Sequence, residues 1–478
     1  MNAPIRRLTT VVALMFLALM VSATSVQFFQ AEALNNDSRN VRTVYREFGR
    51  DRGPIVVAGE PIASSHPVDD VYGYQRTYDP GPLYAHLTGY FSTAFNAVTG
   101  LEKQANDVLN GTSSSLFLRR VQNLVTGNQP QGGAVELTLD PAAQQAAAEA
   151  IGDRSGAVVA LDPATGAILA MYSSPSFDPN ALATHDREAA QAAWDALRTD
   201  PAKPLDNRAI AGDQWAPGSS FKVITAAALL ESGQYDPDTM VPAPTELTLP
   251  QTSVGLRNPG GRACGDGSGE VTLLAAFRQS CNTPFAQLSM DIGYDALRAQ
   301  AEAFGFGAEL EIPLAVTPSR LPEPESQAQL AMSGIGEASV RVTPLQMAMV
   351  AAAVANDGAQ MRPYLVAREL TADLEEVTAT QPRELRRSVS PETADQLTQM
   401  MLDVVENGTG RPAQIDGVAV AGKTGTAENQ DAAPHSWFTG FAPAEDPQVA
   451  VAVLIENGGD GGTNAGPVAR AVMQAVLQ

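Results

Sequence analysis

Three short segments carry residue types that could perform acyl transfer. In Trp215-Ala-Pro-Gly-Ser-Ser-Phe-Lys-Val-Ile-Thr-Ala-Ala-Ala-Leu-Leu-Glu-Ser-Gly233, a Pro-Gly turn leads into a helical stretch in which Lys222 is the only charge between Ser219 and Leu230. A helix that is apolar nearly all round is normally buried, and an ammonium buried there without a partner is costly or surrenders its proton. Ser219 lies three residues before Lys222, so the two share one helical face, in a first turn where free amides and the helix dipole favour negative charge. A nucleophile beside a base would look like this. So would a chance S-x-x-K with a paired structural lysine.

Lys423 repeats the pattern in Gly417-Val-Ala-Val-Ala-Gly-Lys-Thr-Gly-Thr-Ala427, where it is the sole charge between Asp416 and Glu428. Thr424, Gly425 and Thr426 at the end of a β run offer hydroxyls and backbone amides to a carboxylate and an extended peptide. An edge-strand lysine that repels edge-to-edge pairing is the plainer reading. Between the two lysines lies Ser280-Cys281-Asn282, weak by itself. In the order S-x-x-K, S-x-N, K-T-G-T, the three segments form a coherent hydrolase or acyl-transfer set.

These residues must be positioned by a fold, and the pattern predicts an α+β one. A helix fits Pro141 to Ile151, with Asp140 as N-cap. Gly156 to Pro175 reads as two β runs around the turn Asp162-Pro-Ala-Thr-Gly166. A second strand cluster (Val418 to Val420, Trp437 to Phe441, Val449 to Ile455) closes the chain, followed by a helix from about Val468 to Leu477. Helical stretches lie between: Ser219 to Glu231, Leu273 to Arg278, Ala296 to Phe304 and Thr343 to Ala355. Strands at both ends imply one sheet completed by distant segments. Leu34 to about Pro141 reads as a small accessory domain without a site-like cluster of titratable groups, with a hinge at Gly127 to Gly133. No internal repeat is visible.

Arg6 and Arg7 precede an uncharged run from Leu8 to Phe29, long enough as a helix to span the roughly 30 Å core of a bilayer. The basic flank before it, with Glu32 and Asp37 after it, predicts a cytoplasmic amino end and an extracytoplasmic remainder. Ala31-Glu32-Ala33 resembles a cleavage site, but lies far from the densest apolar stretch, so the expectation is an uncleaved single-pass anchor in the plasma membrane. Cys264 and Cys281 are the only cysteines. Outside the cytoplasm they most simply form a disulfide, and otherwise remain two thiols.

Composition narrows the function. The chain has 478 residues, with 53 acidic against 31 basic side chains and a formal charge of −22, so sequence-independent attraction to phosphate backbones would need a local basic patch and no nucleic-acid partner is expected. His66, His86, His185 and His435 are scattered, so no metal site and no cofactor is expected.

With these motifs in place, the chain resembles the penicillin-binding proteins and serine β-lactamases, and most closely a class B penicillin-binding protein of the actinobacterial type. Arg52-Gly-Pro-Ile55, Gly156 to Pro179, Asn207-Arg208, Gly334-Ile-Gly336 with Val342-Thr-Pro-Leu345, and His435-Ser-Trp-Phe438 extend the likeness over most of the chain. The resemblance implies an antiparallel sheet with helices on both sides, preceded by an anchor (1–33) and a dimerisation or pedestal-like accessory domain (34–150), with the transpeptidase domain over 151–478. It implies a peptidoglycan D,D-transpeptidase: Ser219 attacks the penultimate D-alanine of a stem peptide, D-alanine leaves, and a neighbouring amine takes the acyl group. β-Lactams should acylate Ser219. Catalytic roles fall to Ser219, Lys222 and Ser280, and substrate binding to Asn282, Lys423, Thr424, Gly425 and Thr426, with the amides of Ser219 and Thr426 as oxyanion hole. The accessory region leaves no room for a glycosyltransferase, so a membrane glycan polymerase and other cell-wall synthesis proteins are expected partners. A D,D-carboxypeptidase, a β-lactam-hydrolysing or sensing enzyme, and a non-catalytic cell-wall scaffold are the rival readings.

Overall fold

A computed structural model describes residues 2–29, 49–113, 131–212, 214–253, 255–429 and 432–478. They divide into two compact units, Met1–Asp51 with His66–Gln75, and Arg52–Ser65 with Arg76–Gln478. In the first, α1 (Asn2–Thr24) runs on into a π turn over Ser25–Phe29, and Ala3–Phe28 is long and apolar enough to cross a bilayer. The sequence Ala31 to Ala33 and most of the glycine-rich stretch from Gly127 lie outside the described residues.

The second unit opens with β1 (Ile55–Val57), buried throughout as its uninterrupted Ile-Val-Val suggests. It pairs antiparallel with β2 (Glu60–Pro67) and parallel with β3 (Ala134–Leu137). This region holds a buried charge cluster, packed in its core. Glu102 is fully buried and salt-bridged to Arg52 at 2.5 Å and Arg76 at 2.6 Å, while Arg52 also donates to Asn106 and Asn110. These charges are dozens of residues apart, so only folding reveals that the one carboxylate is shared by two guanidiniums.

Asp140 caps α2 (Pro141–Ile151) by accepting from the Ala143 amide at 2.9 Å. The predicted hairpin follows as β4 (Gly156–Leu161) and β5 (Ile168–Ser174), its turn closed by the Asp162 carboxylate on the amides of Ala164 and Thr165. The helical middle contains α3 (Lys222–Glu231), α4 (Leu273–Arg278), α5 (Asn282–Ala303, interrupted at Gly293) and α6 (Pro344–Ala355). Of α5 the sequence pattern shows only the part beyond the Gly293 break. Next, β6 (Val366–Leu370) returns to pair with β3.

The chain closes with β7 (Ala421–Ala427), β8 (His435–Ala442), β9 (Val449–Ile455) and α7 (Gly461–Val476). Two boundaries differ from expectation. Val418 to Val420 is not a strand: β7 starts at Ala421 and consists of the Lys-Thr-Gly-Thr segment itself. Likewise α7 begins at Gly461, capped by Asp460, rather than near Val468. The main sheet is antiparallel in the order β7-β8-β9-β4-β5. Every residue of β9 is buried. Alternate side chains Val449, Val451 and Val453 enter a core with α2 and α7, and Ala450, Ala452 and Leu454 enter the larger core containing α3, α5 and α6. Helices therefore cover both faces, and β7 and β5 are the two edge strands of this sheet.

Candidate active site

The segment before α3 is a 3-10 turn, Gly218–Phe221, which places Ser219 and Lys222 one turn apart. Neighbours fix this turn closely. The Gly218 amide donates to the Gly336 carbonyl at 3.0 Å, and Gly218 has φ +52°, where a Cβ would lie 2.5 Å from the Thr426 carbonyl oxygen. Only glycine fits that contact. Ser220 turns inward to donate to the Pro217 carbonyl at 2.7 Å. The half-buried Ser219 hydroxyl has no hydrogen-bond partner among the described residues and faces a cleft of about 410 Å³.

Behind Ser219, α3 is buried from Lys222 to Leu230, as its apolar surface requires. Lys222 Nζ donates to the Ser280 carbonyl and to Asn282 Oδ1, both at 2.8 Å, and lies 5.6 Å from the Phe285 ring centre. Lys423 Nζ approaches from β7, donating to Ser280 Oγ at 2.8 Å and to the Thr424 carbonyl at 2.9 Å. Ser280 thus serves both lysines. It does so from the left-handed region, φ +58°, between the end of α4 and the start of α5; for a non-glycine residue this costs on the order of 1–3 kcal/mol.

Burial, with the Lys423 charge adding to it, holds Lys222 well below the usual 10.5, against an upward pull from Glu337. Burial alone brings Lys423 down to about 7. Two amines without a carboxylate in contact therefore cannot both keep their protons cheaply, and one becomes available as a base near neutral pH.

Cys264 and Cys281 are disulfide-bonded, which ties the middle residue of Ser280-Cys281-Asn282 to the Gly-rich loop. On the strand side, Gly425 packs so tightly on the Ser219 turn that a Cβ would meet the Pro217 carbonyl oxygen at 2.6 Å. Thr424 Oγ1 lies 2.6 Å from Thr409 Oγ1, and Thr426 Oγ1 accepts from the Gly461 amide at 3.2 Å. Ser219, Ser280, Asn282, Thr424 and Thr426 all line the one cleft. Lys222 and Lys423 are fully buried just behind it.

Sequence reading missed three contributors. Thr409 and Glu337 line the cleft, and Asn258 holds the start of α5. Glu337 accepts from the Glu428 amide at 3.1 Å, and burial together with the Glu428 charge raises its carboxyl to about 7, against Arg341 and Lys222. Its position directly after Gly334-Ile-Gly336 was the available signal. Thr409 and Asn258 had none.

Two family models match the chain: the penicillin binding protein transpeptidase domain over residues 156–474, and the penicillin binding protein A dimerisation domain over residues 52–135. The peptidoglycan D,D-transpeptidase PbpA of Mycolicibacterium smegmatis is 44% identical over 493 aligned residues, covering 100% of this chain and 99% of the relative. Its Mycobacterium tuberculosis counterpart is 43% identical with the same coverage. The crystal structure of penicillin-binding protein A from M. tuberculosis as a penicillin G acyl-enzyme has a TM-score of 0.86 at 42% identity, covering 90% of this chain and 100% of that one. The ceftriaxone acyl-enzyme of the same protein has a TM-score of 0.87 at 42% identity, covering 91% and 100%.

Proposed function

The chain belongs to the penicillin-binding protein transpeptidase family, and from that membership we propose that it is a peptidoglycan D,D-transpeptidase, acylated covalently by β-lactams, with Ser219 as nucleophile and Lys222 as base. The observation that supports these roles is the bridge at Ser280, whose carbonyl accepts from Lys222 and whose hydroxyl accepts from Lys423.

Neutral Lys222 takes the Ser219 proton as Oγ attacks the carbonyl of the penultimate D-alanine. The negative charge formed on that oxygen falls to the amides of Ser219 and Thr426, whose backbones adjoin through the Gly218 contact. As the peptide C–N bond breaks, the Ser280 hydroxyl passes a proton to the departing D-alanine amine and is replenished by Lys423 Nζ, which donates to it. Thr424 and Thr426 grip the terminal carboxylate with the buried Lys423 behind them, Asn282 holds a substrate amide, and Gly425 lets the edge strand lie against the turn. An acceptor amine then attacks the acyl ester, its proton passes through the Ser280 hydroxyl to Lys423, the proton held by Lys222 returns to Ser219 Oγ, and the cross-link is released.

The partition into anchor (1–33), accessory domain (34–150) and transpeptidase domain (151–478) stays our reading. The family matches support it, except that α2 packs on the main sheet, which moves the second boundary to before Pro141. We further place the catalytic domain outside the cytoplasm, tethered by α1 with Arg6 and Arg7 inside, and name a membrane glycan polymerase as its partner. The test is intact-mass and gel labelling with a fluorescent penicillin, wild type against Ser219→Ala. One stable adduct on Ser219, lost in the variant, is expected. Rapid adduct turnover would instead indicate a β-lactamase, and no adduct on folded wild type would overturn the assignment.

A further inference from the structure

Cys281 occupies the N-cap position of α5, where Ser, Thr, Asp or Asn would normally satisfy the first free amides. Its sulfur is committed to Cys264, and its side chain makes no cap. The cap comes instead from another segment. Asn258, 4% exposed, accepts from the Asn282 amide at 2.8 Å and the Thr283 amide at 3.0 Å through the same Oδ1. Its Nδ2 points to the Pro244 carbonyl at 3.5 Å, and the Thr283 hydroxyl donates to that carbonyl at 2.6 Å.

The residue so anchored is the one that faces Lys222. Asn282 Nδ2 donates to the Arg257 carbonyl at 2.9 Å, which turns Oδ1 toward Lys222 Nζ at 2.8 Å. Residues 257 and 258 therefore hold Asn282 at both its main chain and its side chain. Asn258 itself is not among the residues lining the cleft, so it acts only through Asn282.

We propose that Asn258 is a positioning residue of the acylation step: it caps α5 from a separate segment and thereby fixes the Asn282 acceptor on Lys222. This rests on Lys222 being the base. Loss of the cap releases the first turn of α5, and Lys222 loses one of its two acceptors. An ammonium deprived of an acceptor gives up its proton more readily, so the acidic limb of acylation against pH moves to lower pH while the maximum rate falls.

The experiment uses the detergent-solubilised full chain and measures the second-order rate of acylation by penicillin G from pH 5 to 9, with the thermal midpoint, for wild type, Asn258→Leu and Asn258→Asp. The leucine variant fills the space without an acceptor, whereas aspartate keeps it. The proposal expects a rate loss of about tenfold or more with the limb displaced downward in Asn258→Leu, and in Asn258→Asp a near wild-type maximum rate with the limb unmoved or displaced upward by the new carboxylate. A lowered thermal midpoint with unchanged rate and limb would make the residue merely structural and overturn the proposal. So would an aspartate variant as slow as the leucine one. If the leucine variant does not fold, Asn258→Ser, whose hydroxyl falls short of the two amides, takes its place under the same criteria. Unacylated wild-type protein would instead overturn the Ser219 assignment beneath it.

Discussion

Lys423 Nζ and Ser280 Oγ lie 2.8 Å apart in a buried setting, although 143 residues separate them in the chain. Removing the hydroxyl while leaving the Ser280 carbonyl isolates this contact from the one Lys222 makes. Ser280→Ala is expected to fold, to keep Lys222 in place, and to slow acylation by penicillin G by about 10²-fold or more, the range of a lost proton-transfer group. Stopped-flow or timed gel labelling measures this, and a loss below threefold would remove Ser280 from the proton path.

Stability should respond to pH through the same lysine. Unfolded Lys423 keeps its proton to 10.5, whereas the folded residue loses it at about 7. Between these values the unfolded chain binds more protons, so stability rises with pH and is lost again as pH falls toward 7. The slope is at most about 1.4 kcal/mol per pH unit for one such group. Thermal midpoints between pH 7.5 and 9 should therefore rise more steeply in wild type than in Lys423→Met. Parallel slopes would mean that Lys423 is still charged in this range.

Gly425→Ala tests the contact between the edge strand and the nucleophile's turn. The new methyl group would meet the Pro217 carbonyl oxygen at 2.6 Å and Trp437 Cβ at 2.9 Å, and backbone atoms cannot yield as a flexible side chain can. The expected result is a stability loss of about 1–3 kcal/mol and at least a tenfold slower acylation. Denaturant titration and labelling on the same preparation separate the two effects.

Glu337 carries the opposite pH signature. Its folded carboxyl keeps a proton up to about 7, against an ordinary value of 4.5, so its favourable contribution is complete below 4.5 and is lost as pH rises through 7. Glu337→Gln keeps the acceptor for the Glu428 amide but cannot ionise. The variant should match wild type at pH 5 and exceed it at pH 8 by about 1–3 kcal/mol. A stability advantage equal at both pH values would show that ionisation at this site is not the cause.

Much of the site was legible because its chemistry is unusual: a charge inside an apolar helix or strand stands out, as Lys222 and Lys423 both do. The hairpin of β4 and β5 and the capped start of α2 also follow from local turn and cap residues. What was hidden depends on tertiary packing. Val418 to Val420 has the β-branched composition of a strand, yet the strand is the adjoining run of small residues, because Gly422 and Gly425 allow close approach to Phe438 and to the turn at Pro217. The first turns of α7 are rich in Gly and contain Pro467, poor helix formers. Gly461 is nevertheless helical there, pressed so closely on β7 and β8 that a Cβ would lie 2.1 Å from the Gly425 carbonyl oxygen. Asn258 and the Arg52–Glu102–Arg76 cluster bring together side chains whose spacing follows no helical or strand period, and no local pattern announces them.

The order of strands in the main sheet has a consequence for how the enzyme comes into being. β4 and β5 leave the ribosome early, but their neighbour β9 and the edge strand β7 are translated only after the whole helical middle. Ser219 and Lys222 thus exist throughout synthesis of the helical middle without the strand that completes their cleft. A nascent chain that has not yet emerged past Ile455 has no closed sheet to support β7, so reactivity toward penicillin should switch on late and abruptly rather than grow with length.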